Sequence, residues 1–112
     1  MKFTVSLKKN IEFRQMYKEG RPTGNGHLTL FAKKNELGQN RLGICVSKKM
    51  GKAVSRNRQK RRIKEAYKSL EINVSQGFDI VILPKASLAD AKFSQIVSAM
   101  SHLLKKQGLL KI

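Results

Sequence analysis

A chain of 112 residues with 24 Lys and Arg against 7 Asp and Glu carries a net charge of +17. That length suits one hydrophobic core, and that charge repels itself unless a polyanion relieves it, which makes nucleic acid the leading partner. The longest unbroken apolar run, Ile80 to Leu83, is far short of the roughly 20 residues that cross a bilayer. One cysteine, Cys45, and two histidines, His27 and His102, exclude an internal disulfide and a structural zinc site.

The opening residues MKFTVSLKKN lack the apolar stretch and cleavage site of a secretory signal, so a cytoplasmic setting is expected. Asn10 is placed to cap a first helix, with Glu12 in its first turn and Gly20 at its end; Ile11, Phe13, Met16 and Tyr17 are its larger apolar groups. Arg21 to Asn25 holds Pro22 and Gly24 and reads as a turn or, at best, a short edge strand. His27 to Lys33 and Arg41 to Ser47 are rich in aliphatic and β-branched residues, and the polar segment KNELGQN between them predicts a hairpin. A helix follows over Val54 to Leu70, with Ser55 as its cap and Gln59, Ile63, Ala66, Tyr67 and Leu70 gathered on one side. Phe78 to Leu83 reads as a buried strand ended by Pro84. Phe93, Ile96, Val97, Met100, Leu103 and Leu104 then fall at helical spacing, and Gly108 closes this last helix.

With no repeat or linker, residues 1–112 form one expected domain. It is a layered α/β fold of three helices and three or four strands with one sheet face covered. A helical connection from Arg41–Ser47 to Phe78–Leu83 fits parallel pairing, for which a right-handed crossover is the default.

The charge is concentrated. Lys48 to Lys64, KKMGKAVSRNRQKRRIK, holds nine Lys or Arg and no acid. On the helical wheel Asn57, Arg61, Lys64 and Lys68 form a ridge with Arg58 and Arg62 beside it, opposite Ile63 and Leu70. A solvated helix face normally mixes signs, because like charges four apart repel; a face of one sign fits phosphates and the counterions they release. Phe13 and Tyr17, four apart, share a helix face on which unpaired bases could stack, although such pairs more often belong to a core. Phe31 points to the opposite sheet face from Leu28 and Leu30.

The segment GICVSKKMGKAVSRNRQKRRIKE, Gly43 to Glu65, resembles the signature of the bacterial ribonuclease P protein subunit: Ser-Lys-Lys, Gly, Ala-Val, Arg-Asn-Arg and Lys-Arg in that order and spacing. The likeness extends upstream to Leu7-Lys8-Lys9, Phe13, Tyr17 and Gly20. It implies an αβββαβα sandwich with a mixed sheet of about four strands and a left-handed crossover, against the default above. It implies a partner, a catalytic RNA that removes the 5′ leader of precursor tRNA with magnesium ions held through that RNA. Carried onto this chain, Ser47, Lys48, Lys49, Arg56, Asn57, Arg58, Lys60 and Arg61 would meet the catalytic RNA. Arg62 and Lys64 extend the same cationic stripe, and Phe13, Tyr17 and Phe31 would hold the leader. Lys52 stands where the family often has Asn, and Phe31 where Tyr is common, which removes a hydroxyl but keeps stacking.

Asp79 and Asp90 are the only aspartates, Glu65 lies in a cationic helix where Arg61 and Arg62 can neutralise it, and neither histidine has an evident partner, which gives little for hydrolysis by the protein alone; Cys45 inside an apolar strand reads as an inert thiol. No catalytic residue, no protein-bound cofactor, no membrane contact and no small-molecule substrate are therefore expected. A ribosomal or general structural RNA-binding protein is the alternative that composition leaves open.

Overall fold

The computed structural model describes residues 1–111; residue 112, the last of the expected domain, lies outside them. In chain order the elements are β1 (Thr4–Ser6), α1 (Asn10–Glu19), β2 (Arg21–Gly24), β3 (Leu28–Lys34), β4 (Asn40–Ile44), α2 (Ala53–Leu70), β5 (Phe78–Pro84) and α3 (Phe93–Lys106). Short 3-10 turns occupy Lys48–Met50, Glu71–Asn73 and Ala86–Asp90. The strands form one sheet in the order β1-β4-β5-β3-β2. The class is the mixed α/β fold expected, with five strands rather than four.

The expected hairpin between the second and third apolar segments does not form. β5 lies between β3 and β4, antiparallel to the first and parallel to the second. Its sequence explains this: Asp79 to Ile82 and Pro84 are all buried, so β5 needs cover on both faces and both edges, which only a central position supplies. The polar connection spans the two-strand gap, with Asn35 N–H bonded to Gly77 O (2.9 Å) and Asn35 Nδ2 to Gln39 O (2.9 Å). The hairpin partner of β3 is β2, where Pro22 is tolerated because β2 is an edge.

β1 was not anticipated. Three residues are too short for a periodicity signal, and the strand is held by polar contacts instead. Thr4 Oγ1 and Tyr67 OH lie 2.9 Å apart, and the Glu71 carboxylate accepts N–H groups from Lys2 (2.9 Å) and Phe3 (3.2 Å). Asn40 completes this buried network by donating to Ser75 O and Tyr67 OH and accepting from Phe78 N–H.

Alternation divides the sheet into two unequal faces. Leu28, Leu30, Leu42, Ile80 and Ile82 point to the main core with α2 and α3. The buried side of α2 is the one the wheel selects, Gln59, Ile63, Ala66, Tyr67 and Leu70. In α3, Phe93 is 47% exposed rather than packed, and Ala99 takes a core place. Each fully buried side chain such as Ile63 or Leu103 contributes about 1.5–3 kcal/mol. The opposite face carries α1 on a smaller cluster of Leu7, Met16 and Val81 with Phe13, Phe31 and Leu83 around it. One short helix cannot cover that face, and what it leaves open becomes the site.

Both helix starts differ from expectation. The N-cap of α1 is Lys9, one residue before Asn10, and its N–H is received by the Glu12 carboxylate (3.3 Å). The N-cap of α2 is Lys52, so Ser55 lies inside the first turn and the Arg56 N–H already bonds Lys52 O (2.9 Å). The open amides of α2 are therefore those of Ala53 to Ser55.

The crossover from β4 through α2 to β5 is left-handed. Seen with its side chain toward the observer and the chain running upward, an L residue in a strand points its N–H and C=O to the right. Gly43 and Cys45 face α1, and Cys45 N–H donates to Ile82 O of β5 (3.0 Å). Leu42 faces α2 and accepts on the β1 side, from Leu7 N–H (2.9 Å). β5 thus lies right of β4 seen from α1 and left of it seen from α2, the side over which the chain passes. The right-handed default fails here, as the resemblance implies.

Candidate nucleic-acid interface

The open part of the α1 face is a cleft of about 350 Å³ between α1, the end of β4 and α2, lined by Phe13, Arg14, Tyr17, Cys45, Val46 and Lys60 among others. Phe13 is half-buried and its ring edge lies directly against the backbone of Gly43. Tyr17 is 40% exposed and meets Phe31 edge-on, with ring centroids 5.4 Å apart at 70°. Burial, and then the neighbouring Cys45 thiol, hold the Tyr17 phenol above its ordinary range, so it stays protonated and able to donate. Phe13 and Tyr17 therefore do share a face, partly open rather than core, while Phe31 joins them by supporting Tyr17 from β3. Cys45 lies just past the strand in which it was expected: β4 ends at Ile44, and Cys45 is half-buried on the cleft wall. Arg14 was missed; its one signal is its place beside Phe13 on an exposed helix face.

α1 is fixed by charge. Arg41 of β4 reaches Asp79 of β5 through Nε (2.8 Å) and Nη2 (2.6 Å), and Glu12 of α1 through Nη1. Asn35 Nδ2 adds a bond to Asp79 (2.8 Å). Burial pushes the Asp79 carboxyl up, but the hydrogen bonds and charges of Arg41, Asn35 and Lys33 together hold it below the usual carboxylate range.

The cationic surface begins at the turn Lys48–Met50. Ser47 caps this turn by accepting from Lys49 N–H (3.2 Å), and Gly51, at φ 111°, ends it. Along α2, Asn57, Arg58, Lys60, Arg61 and Lys64 are exposed. Arg56 is half-buried, and its Nε has no hydrogen-bond partner among the described residues. Lys60 belongs to both surfaces: it stands on the cationic helix and lines the aromatic cleft.

Arg62 stands beside Arg58 and Arg61 but, unlike them, is half-buried. Its guanidinium turns inward, donating to Gln59 Oε1 (2.9 Å), Leu88 O (3.2 Å) and Ala91 O, and so clamps α2 to the turn Ala86–Asp90. The wheel cannot distinguish it from Arg58, because the contacts that turn it are with main-chain carbonyls 26 and 29 residues away. Arg62→Ala should therefore cost about 1–3 kcal/mol, several degrees of melting temperature, with RNA affinity within about twofold of wild type. Arg61→Ala should do the reverse. Melting curves and RNA titrations on the two variants check this pair.

Glu65 pairs with Lys68 (3.3 Å), not with Arg61 or Arg62, and His27 Nδ1 lies 3.0 Å from Ser87 Oγ. Among the described residues no three His, Cys, Asp or Glu side chains lie together where they could hold a metal ion, and no helix is long and apolar enough to cross a membrane.

A model of the ribonuclease P family matches residues 1–108. The ribonuclease P protein component of Clostridium botulinum (strain Loch Maree / Type A3) is 45% identical over 104 residues, which cover 92% of this chain and 94% of that one. The RNase P protein of Staphylococcus aureus superposes with a TM-score of 0.85 at 34% identity, over 95% of this chain and 97% of that one. The RNase P protein of Thermotoga maritima superposes at 0.83 with 31% identity, over 90% and 96%. Cationic helix, aromatic cleft, sequence and fold agree, and the chain belongs to the ribonuclease P protein family, the protein component of a ribonucleoprotein endonuclease.

Proposed function

We propose that this chain binds two RNAs on adjoining surfaces and leaves the chemistry to one of them. The Lys48–Met50 turn and the exposed face of α2, with Ser47, Lys48, Lys49, Arg56, Asn57, Arg58, Lys60, Arg61 and Lys64, meet the catalytic RNA. The cleft with Phe13 and Tyr17, backed by Phe31, holds the 5′ leader of precursor tRNA. The outcome is magnesium-dependent removal of that leader in the cytoplasm, with no membrane or small-molecule substrate involved. The observation that carries this reading is Lys60, an exposed cation of α2 that also lines the cleft with Phe13 and Tyr17. A single strand can lay bases on the rings while its backbone meets Arg14 and Lys60.

The chain's own acids support a non-catalytic role. Of the seven acids, Glu12 and Asp79 are tied to Arg41, Glu19 to Lys33, Glu65 to Lys68, and Glu71 to two N–H groups, while Glu36 and Asp90 belong to no cluster of three possible ligands among the described residues. These donors do not fit a magnesium cage, so the ions are assigned to the RNA. What the protein supplies is positive charge that lowers phosphate repulsion where RNA and substrate meet.

Phe13→Ala should weaken binding of leader-bearing precursor by about tenfold, within the 1–3 kcal/mol that stacking one base supplies, and leave mature tRNA and catalytic-RNA binding unchanged. Arg58→Ala should weaken catalytic-RNA binding and reduce its salt slope by about 0.7–0.9. Affinities of both variants for both RNAs, measured below their melting temperatures, test the division. Equal losses on both RNAs would contradict it and favour a general RNA-binding role.

A further inference from the structure

We propose that Gly43 is a positioning residue for leader recognition: the absence of a side chain there sets where the Phe13 ring lies in the cleft. This rests on the reading of that cleft as the leader site. Gly43 is buried in β4, between β1 and β5. A Cβ at this position would lie 2.7 Å from Cζ and 2.8 Å from Cε1 of Phe13, and 3.3 Å from Leu7 Cβ. Carbon atoms pack best at about 3.5–4.0 Å, so any other residue would hold the ring edge roughly 1 Å farther from the sheet.

The backbone does not ask for glycine here. The glycines with positive φ are Gly38, Gly51, Gly77 and Gly108, whereas Gly43 is ordinary strand, where glycine weakens the element. The close approach of the ring is the compensating reason. Cys45, two residues on and on the same face, lines the cleft, so a ring lifted off Gly43 moves into the space where a base would lie. If α1 rises with its ring, Tyr17, one turn on, loses its edge contact with Phe31.

The test uses wild type, Gly43→Ala, Phe13→Leu and the double variant, each as free protein and reconstituted with catalytic RNA. Melting temperature, catalytic-RNA affinity and the affinity ratio of leader-bearing precursor to mature tRNA are measured. Leu lacks the two ring atoms that a Cβ at position 43 would meet. Gly43→Ala should lower the melting temperature and reduce the ratio on the order of tenfold, with catalytic-RNA affinity within about twofold. In the Phe13→Leu background it should change neither quantity. Should Gly43→Ala fail to fold alone, rescue by Phe13→Leu supports the seat and failure of both variants overturns it. A ratio lowered by Phe13→Leu but untouched by Gly43→Ala overturns the proposal and leaves the cleft reading standing. A ratio untouched by either overturns both, and a loss that persists without the ring shows that Gly43 acts on the fold alone.

Discussion

Between 50 and 200 mM salt, affinity for the catalytic RNA should fall by roughly 10³ to 10⁴. The figure follows from the seven cations of the proposed catalytic-RNA surface, Lys48, Lys49, Arg56, Arg58, Lys60, Arg61 and Lys64, none of which has an ion-pair partner among the described residues. If each neutralises one phosphate, log affinity falls against log salt with a slope of about −5 to −6, and a fourfold rise in salt costs three to four decades. Arg62 is left out of the count because its guanidinium already donates to the carbonyls of Leu88 and Ala91. Filter binding or anisotropy across a salt series measures it. A slope near zero would mean that the stripe does not meet phosphates.

Arg41→Ala should be the most damaging single change at the base of the cleft. Arg41, Glu12 and Asp79 are 28%, 21% and 11% exposed, so removing the guanidinium strands a nearly buried carboxylate and releases α1. Breaking a fully buried pair costs about 3–5 kcal/mol; discounted for the partial exposure here, about 2–4 kcal/mol is expected, roughly 10 °C in melting temperature. Because the folded Asp79 carboxyl lies below its unfolded value of about 3.9, the stability it supplies is present above that pH and is lost as pH falls through the folded value. Without Arg41 only Asn35 and Lys33 are left to offset burial, which pushes the carboxyl up, so the variant draws less stability from deprotonation. The gap in melting temperature should therefore be widest near pH 7 and shrink below about pH 4. Equal melting temperatures at pH 7 would show that the pair does not hold α1.

The parts of this molecule that could be read from its sequence are those set by local periodicity. The buried sides of α2 and most of α3 follow from apolar spacing, and the cationic stripe from charge of one sign opposite that spacing. What could not be read depends on contacts remote in sequence. β5 enters between β3 and β4 because a strand buried on both faces belongs in the middle of a sheet, and a short polar connection looks the same whether it closes a hairpin or bridges a gap. β1 is held by Glu71 and Tyr67, more than sixty residues away, and has no periodicity to announce it. Arg62 and Arg58 look alike until the carbonyls of Leu88 and Ala91 are placed beside one of them. The aromatic pair of α1 was ambiguous between core and site, and it proves to be partly both: Phe13 packs on Gly43 while Tyr17 stands 40% exposed.

Leader removal from precursor tRNA by a ribonuclease P RNA, followed at falling magnesium with and without this protein, tests the whole account most directly. The protein should sustain cleavage at magnesium concentrations where the RNA alone is idle, and Phe13→Ala together with Arg58→Ala should abolish that gain. Cleavage that is no faster with the protein than without it, or cleavage by the protein with no RNA present, would contradict the account.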